Sequence, residues 1–221
     1  MLFRSQLIKL KQSVTYKTNM IIGPKYKIAR RLGAPIFEKT QTQKYALRLE
    51  RKDKRRGFSK PKSEFASQLN EKQKARFIYG LSEGQFANYI KEALEKKSSN
   101  TAETIFQFLE LRLDSALYRL GFSPTRGGAR QIVSHGHIAV NGRRVNTPSK
   151  RLSLGDKITI SPRSLEKPIF KDLDEKIKNV TVPSWIKFDP GKKTAEVQGL
   201  PVLVKTENMF DLNTVIEFYS R

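Results

Sequence analysis

The chain has no cysteine, two histidines, a single tryptophan and only 21 acidic residues in 221. Without thiols there is no disulfide, no thiolate nucleophile and no Cys-ligated zinc. His135 and His137 stand two apart where a loop should run into a strand, with no carboxylate or thiolate beside them. Their expected roles are contact with a ligand or local packing, so no metal and no other cofactor is expected. No apolar run approaches the ~20 residues of a membrane-spanning helix, and no membrane partner is expected. Phosphate-cradling glycine loops, Ser/His/Asp sets and the nucleotide motifs of synthetases are missing too.

What is abundant is positive charge. Lys and Arg number 43, for a formal net charge of +22. Such an excess repels itself within a compact fold, which points to a polyanion that neutralises it. Nucleic acid fits, because each phosphate met by Lys or Arg releases a condensed counterion. A hydrophobic content of 38% with 10% aromatic residues is too rich for a disordered basic tail, and the length supports one or two domains with a true core.

Residues 1–19 carry Arg4, Lys9, Lys11 and Lys17 and no acid. Two readings fit them: an organellar transit segment, or a short basic arm or upstream start with translation beginning at Met20. From Met20 to about Pro61 charge is dense and apolar periodicity weak. Arg48, Arg51, Lys52, Lys54, Arg55, Arg56, Lys60 and Lys62 follow one another with Tyr45 and Phe58 interleaved, a segment expected to order against RNA. Helical spacing then governs residues 64–79 and 85–96. Asn100 with Glu103 forms a capping-box pattern, opening a helix that places Ile105, Leu109, Leu113, Ala116 and Leu120 on one face and ends at Gly121. On that reading Arg112 and Arg119, seven apart, share a helical face.

After the turn Gly121-Phe122-Ser123-Pro124, Thr125 can cap a short helix holding Arg126 and Arg130 on one face, followed by Gln131 and His135. A helix N-terminus flanked by Arg suits a phosphate. Ile138 and Val140 alternate as a strand, Asn141-Gly142 is a strong hairpin signal, and Arg143 follows the turn. Gly155-Asp156 precedes another strand, Lys157 to Ile160. Trp185, Phe188 and Phe218, in alternating strand-like patterns, are expected in the core rather than as base-stacking platforms.

Thr125-Arg126, Ala129-Arg130, Val140-Asn141-Gly142 and Gly155-Asp156 together resemble the S-four RNA-binding domain, in which two helices and a small sheet present a basic face to structured RNA. The match implies RNA contact by Arg112, Arg119, Thr125, Arg126, Arg130, Gln131, His135, Asn141 and Arg143. Gly127 and Gly128 depart from the helix formers common there, at ~1 kcal/mol per glycine, or let the RNA backbone come close. The domain also occurs in pseudouridine synthases, tyrosyl-tRNA synthetases and a small heat-shock RNA binder. Gly23-Pro24-Lys25 with Arg30-Arg31, the stretch Gln68 to Arg76 continuing to Tyr89, and Pro183-Ser184-Trp185 with the end Val215 to Arg221 resemble the ribosomal protein S-four family specifically. This adds Lys25, Arg30, Arg31, Lys72, Lys74 and Arg76 to the expected contacts, beside Arg48, Arg51, Lys52, Arg55 and Arg56. Asn70 and Gly84 depart from the family pattern, and the zinc that many members hold through N-terminal cysteines has no ligands here.

The resemblance implies an α+β fold. A helical N-terminal domain (20–107) is completed by a C-terminal segment (173–221), with an S-four RNA-binding domain (108–172) inserted and an extension at 1–19. It implies a constituent of the small ribosomal subunit that binds a junction in the 5′ domain of small-subunit rRNA early in assembly. Expected neighbours are ribosomal proteins S-five and S-three and the mRNA where it enters, with an influence on decoding accuracy and no homo-oligomer. The implied setting is a ribosome of bacterial type, in a bacterial cytoplasm or alternatively an organelle. The rival readings are a non-ribosomal RNA binder of the same domain and a pseudouridine synthase. Arg112-Leu113-Asp114 matches the catalytic tripeptide of some such synthases, but too little chain follows for their catalytic domain. Asp114 is expected instead to pair with Arg112 or Arg119.

Overall fold

Side-chain caps fix the starts of several helices in this chain. The computed structural model describes residues 22–53, 63–96, 98–171, 173, 177, 180–204 and 209–220. The extension at 1–19 and the expected contacts Arg55 and Arg56 lie outside the described residues, as does the side chain of Lys52. Helix α1 (Lys25–Leu32) follows Pro24 and stops at Gly33, whose φ of 71° suits glycine. With α2 (Gln43–Asp53) it encloses a satellite core of Ala29, Leu32, Ile36, Phe37 and Tyr45. Ser63 caps α3 (Glu64–Tyr79), and Ser82 with Gln85 forms a reciprocal capping box on α4 (Glu83–Glu95). Asn100 caps α5 (Thr101–Glu110), its side chain accepting from the Glu103 N–H at 3.2 Å. Each such cap is worth about 1 kcal/mol.

The helix expected to run unbroken to Gly121 is two helices. Arg112 has extended backbone (φ −67°, ψ 139°), and α6 (Leu113–Arg119) starts anew behind it. The cause is a loop some forty residues on. Leu113 N–H donates to the Lys150 carbonyl at 2.9 Å and Asp114 N–H to the Pro148 carbonyl at 3.1 Å, while Arg112 bridges Arg151. These tertiary acceptors satisfy first-turn donors that a new helix would otherwise leave unpaired. Arg112 and Arg119 therefore do not share a helical face.

Helix α7 (Arg126–Ser134) packs on α6, and the chain enters a five-stranded antiparallel sheet. Strands β1 (Ile138–Val140) and β2 (Arg143–Val145) are joined through Asn141 (φ 51°) and Gly142 (φ 76°), the left-handed pair of a tight hairpin turn. β3 (Lys157–Ile160) pairs with β1, and β4 (Ile186–Asp189) and β5 (Thr194–Val197) complete the order β2-β1-β3-β5-β4. The sheet thus crosses the division expected at residue 172. Residues 186–197 extend the inserted domain's own sheet, and Trp185 lies in its core with Leu113, Leu117, Ile132 and Ile158. The short helix α8 (Pro168–Lys171) brings Phe170 to the same core. The final stretch returns to the N-terminal helices: Leu203 and Phe210 join their core, and α9 (Leu212–Tyr219) packs along α3 and buries Leu212 and Val215 with Tyr79, Phe86 and Ile105. Phe218 is therefore on a helix, not a strand. It meets Phe65 at 5.5 Å, with the Lys72 ammonium 4.5 Å from its ring.

Candidate nucleic-acid interface

Two carboxylates with 1% exposure organise the expected RNA-reading arginines. Asp114 accepts from Arg112 Nε and Nη2 at 3.0 and 2.8 Å, from Arg130 Nε at 2.9 Å and from the Ser115 N–H. Arg112 Nη1 also donates to the Tyr89 hydroxyl at 2.6 Å. Arg130 reaches back to α3, donating to the carbonyls of Gly80 at 2.6 Å and Tyr79 at 3.2 Å. It thereby places a cation at the negative end of that helix. Both guanidinium groups are buried, and their donors are taken up within the fold. Asp114 pairs with Arg112 as expected, but its second partner is Arg130 rather than Arg119.

Glu110 holds the second pair. Arg119 donates to it twice at 2.9 Å, Arg126 Nη2 once at 3.2 Å, and the Tyr79 hydroxyl at 2.7 Å. Burial alone would raise the Glu110 pKa, but Arg126 and Arg119 outweigh it and hold the carboxyl below the ordinary range. The same pocket pushes the Tyr79 hydroxyl well upward, by burial and by the Glu110 charge. Arg126 lies between two rings, 4.4 Å from the centroid of Tyr79 and 4.6 Å from that of Tyr118. Its Nη1 is buried with no hydrogen-bond partner among the described residues.

Beside Arg126, Thr125 caps α7, its hydroxyl accepting the Gly128 N–H at 2.8 Å. A cleft of about 450 Å³ opens here, walled by Lys25, Tyr118, Arg119, Arg126, Gly127 and Gln131. Helix N–H groups, Lys25 and the partly exposed Arg119 favour an anion in the cleft, opposed by the Glu38 carboxylate that lines the same space. The fold brings Lys25 from α1 to the same place, although about a hundred residues separate it from α7.

The remaining expected contacts fall into three groups. Lys72 and Arg76 both pair with Glu83, at 2.7 and 3.4 Å, and Lys74 pairs with Glu71 at 2.6 Å. Asn141 joins two turns, its side chain donating to Asp156 at 2.7 Å and accepting the Lys157 N–H at 2.9 Å. Arg31, Arg48, Arg51, Gln131, His135 and Arg143 are exposed, and Arg30 is half-buried. His137 is buried against Ser164, Nδ1 to Oγ at 2.9 Å; burial and the nearby Lys167 lower its pKa. Sequence reasoning missed Arg144, Arg163 and Lys167, which gather with His135 around one shallow cavity. Two of them lie outside the matching motif, and only the return of the chain past β3 brings them there. It also missed Arg151, which grips Glu92 at 2.7 and 2.8 Å and stacks 4.0 Å from the Phe108 ring centroid.

Known proteins match this sequence along most of its length. The family described as Ribosomal protein S4/S9 N-terminal domain matches residues 20–110, and the S4 domain family matches residues 111–158. The small ribosomal subunit protein uS4 of Aquifex aeolicus is 39% identical over 207 residues, 90% of this chain and 98% of its own. The uS4 proteins of Chlorobaculum tepidum and Akkermansia muciniphila are 38% and 37% identical, covering 88% and 90% of this chain and 96% and 98% of theirs. The chain belongs to the uS4 family. The S4 domain match ends before β4, so the hairpin that widens the sheet lies beyond it. The junction between the two family matches, at residues 110 and 111, falls on the buried ionic network that ties α3 to α6 and α7.

Proposed function

We propose that this chain is a structural, non-enzymatic constituent of the small ribosomal subunit that binds small-subunit rRNA directly. The observation that carries the reading is the match of nearly nine-tenths of the chain to almost the whole length of relatives named small ribosomal subunit protein uS4. The chemistry agrees with it. Exposed cations on α1, α2 and β2 offer phosphate contacts, and the cleft at the α7 N-terminus supplies a fixed anion site. Rigid placement of such groups reads the spacing of RNA backbones at a junction, where A-form grooves hide the base edges. Asp114 argues against pseudouridine synthesis, since two guanidinium groups and a backbone N–H consume its lone pairs at 1% exposure.

At the finer level the protein nucleates assembly on the 5′-domain junction. It adjoins ribosomal proteins S-five and S-three beside the incoming mRNA and affects decoding accuracy through S-five. Its setting is the bacterial cytoplasm; the acid-free basic residues 1–19 favour an organellar ribosome as the second reading. Sucrose-gradient fractionation is expected to recover the protein with small subunits. Recovery only with large subunits or in ribosome-free fractions overturns the proposal. Mass spectrometry of the N-terminus from purified ribosomes tests whether residues 1–19 are retained, and recovery of the protein in ribosomes of an isolated organelle rather than in cytoplasmic ribosomes separates the two settings.

A further inference from the structure

Helices α1 and α2 each carry one tyrosine flanked by two cations on the groove between them. On α1 these are Tyr26 with Lys27 and Arg30; on α2 they are Tyr45 with Lys44 and Arg48. The rings lie 5.5 Å apart at 36°, and the Tyr45 hydroxyl donates to the Tyr26 carbonyl at 3.4 Å. Tyr45 belongs to the satellite core and is 8% exposed, whereas Tyr26 is 52% exposed and stands outside that core. The groove has a volume of about 630 Å³, within the ~300–1,000 Å³ of small-ligand sites. Among the described residues, no acidic side chain lines it.

We propose that this groove takes one unstacked nucleobase of the bound RNA, with Tyr26 as the stacking platform and Lys27, Arg30, Lys44 and Arg48 holding the flanking phosphates. The inference rests on the RNA-binding reading above and adds to it a contact with a base rather than with backbone shape. An aromatic face beside a cationic rim is the arrangement that binds single strands, because every base offers a π-face and every linkage a charge. Four cations with no lining carboxylate repel a basic peptide and favour a polyanion. Tyr26 supplies a flat ring at low entropic cost, since its backbone is already fixed in the first turn of α1.

The test uses the full chain and three probes: a 5′-domain junction fragment of small-subunit rRNA, a single-stranded oligoadenylate, and an abasic strand of equal length and charge. The wild-type protein is expected to bind oligoadenylate about 5–150-fold more tightly than the abasic strand, the range of one base–aromatic stack. Tyr26→Ala should abolish that preference while leaving salt-dependent binding of both strands. Tyr26→Trp should restore it, with tryptophan emission quenched by oligoadenylate. The sole native tryptophan, Trp185, is buried in the sheet core and serves as the unquenched control. If the wild type binds the rRNA fragment yet does not distinguish oligoadenylate from the abasic strand, the base site is wrong and the RNA-binding reading stands. Equal quenching of Tyr26→Trp by polyglutamate would assign the groove to an acidic protein instead. Failure of the wild type to bind the rRNA fragment would overturn both.

Discussion

Asp114 and Glu110 are buried carboxylates that each hold two guanidinium groups, and the two support different experiments. For Asp114 the charge balance is the issue. Asp114→Asn removes one negative charge and leaves Arg112 and Arg130 buried together, and breaking a buried pair in this way costs about 3–5 kcal/mol. Urea denaturation is expected to show that loss, and the pseudouridine content of RNA from cells carrying the variant is expected to match wild type. Loss of one specific pseudouridine would mean that Asp114 performs chemistry. For Glu110 the issue is pH. Its folded pKa lies below the ordinary 4.5, so on acidification the unfolded state takes up the proton first. The stabilisation is complete above about pH 4.5 and is lost as pH falls through the lowered value. Glu110→Gln is expected to be less stable at pH 7 and to have a flatter stability profile between pH 5 and pH 2. Parallel profiles for the two proteins would show that Glu110 is not held ionised by its arginines.

At the scale of elements, α7 presents adjacent glycines with opposite constraints. A methyl on Gly128 would meet the Ser123 hydroxyl at 2.2 Å, while at Gly127 the nearest atom is the Thr125 hydroxyl at 3.8 Å. Gly127→Ala should therefore stabilise the fold by about 0.5–1 kcal/mol through helix propensity, and Gly128→Ala should destabilise it by about 1–3 kcal/mol through overpacking. Thermal melts of both variants check the pair. Gly127 also lines the cleft, so a more stable Gly127→Ala protein that binds the rRNA junction more weakly would identify close approach of the RNA backbone as the reason for glycine there. Features of this local kind were legible in the sequence. Asn100, Thr125 and Asn141-Gly142 act within four residues of themselves, and the structure places cap, cap and turn where the spacing put them. Features settled at long range were not. The break at Arg112 is made by Thr147–Arg151, the sheet is completed by Ile186–Val197, and the helical state of Phe218 follows from docking of α9 on α3. The arginines show the same limit, since helical spacing assigned Arg112, Arg126 and Arg130 to a surface. Two acidic side chains and the end of α3 draw them inward.

Across the whole molecule, the +22 charge divides into cations neutralised within the fold and cations facing solvent. Arg112 and Arg130 share Asp114; Arg119 and Arg126 share Glu110; Lys72, Lys74, Arg76 and Arg151 each face a glutamate. On α1 and α2, by contrast, Lys27, Arg31, Lys44, Arg48 and Arg51 are exposed. Counterion release requires a cation that reaches a phosphate, so the two classes must differ in salt dependence even where both weaken binding. Changing those five exposed residues to Gln should flatten the slope of log K against log salt on duplex RNA by up to about 4–5, at roughly 0.9 counterions per neutralised duplex phosphate. Arg130→Gln should instead lower stability, because it unties α7 from α3 and leaves Asp114 short of a partner, and should leave the salt slope of the folded protein unchanged. Titrations of both variants at several salt concentrations, below their unfolding temperatures, separate the mechanisms. A slope that falls by about one in Arg130→Gln would show that RNA draws this guanidinium out of its buried pair, and that the network is a store of phosphate contacts rather than a fixed frame.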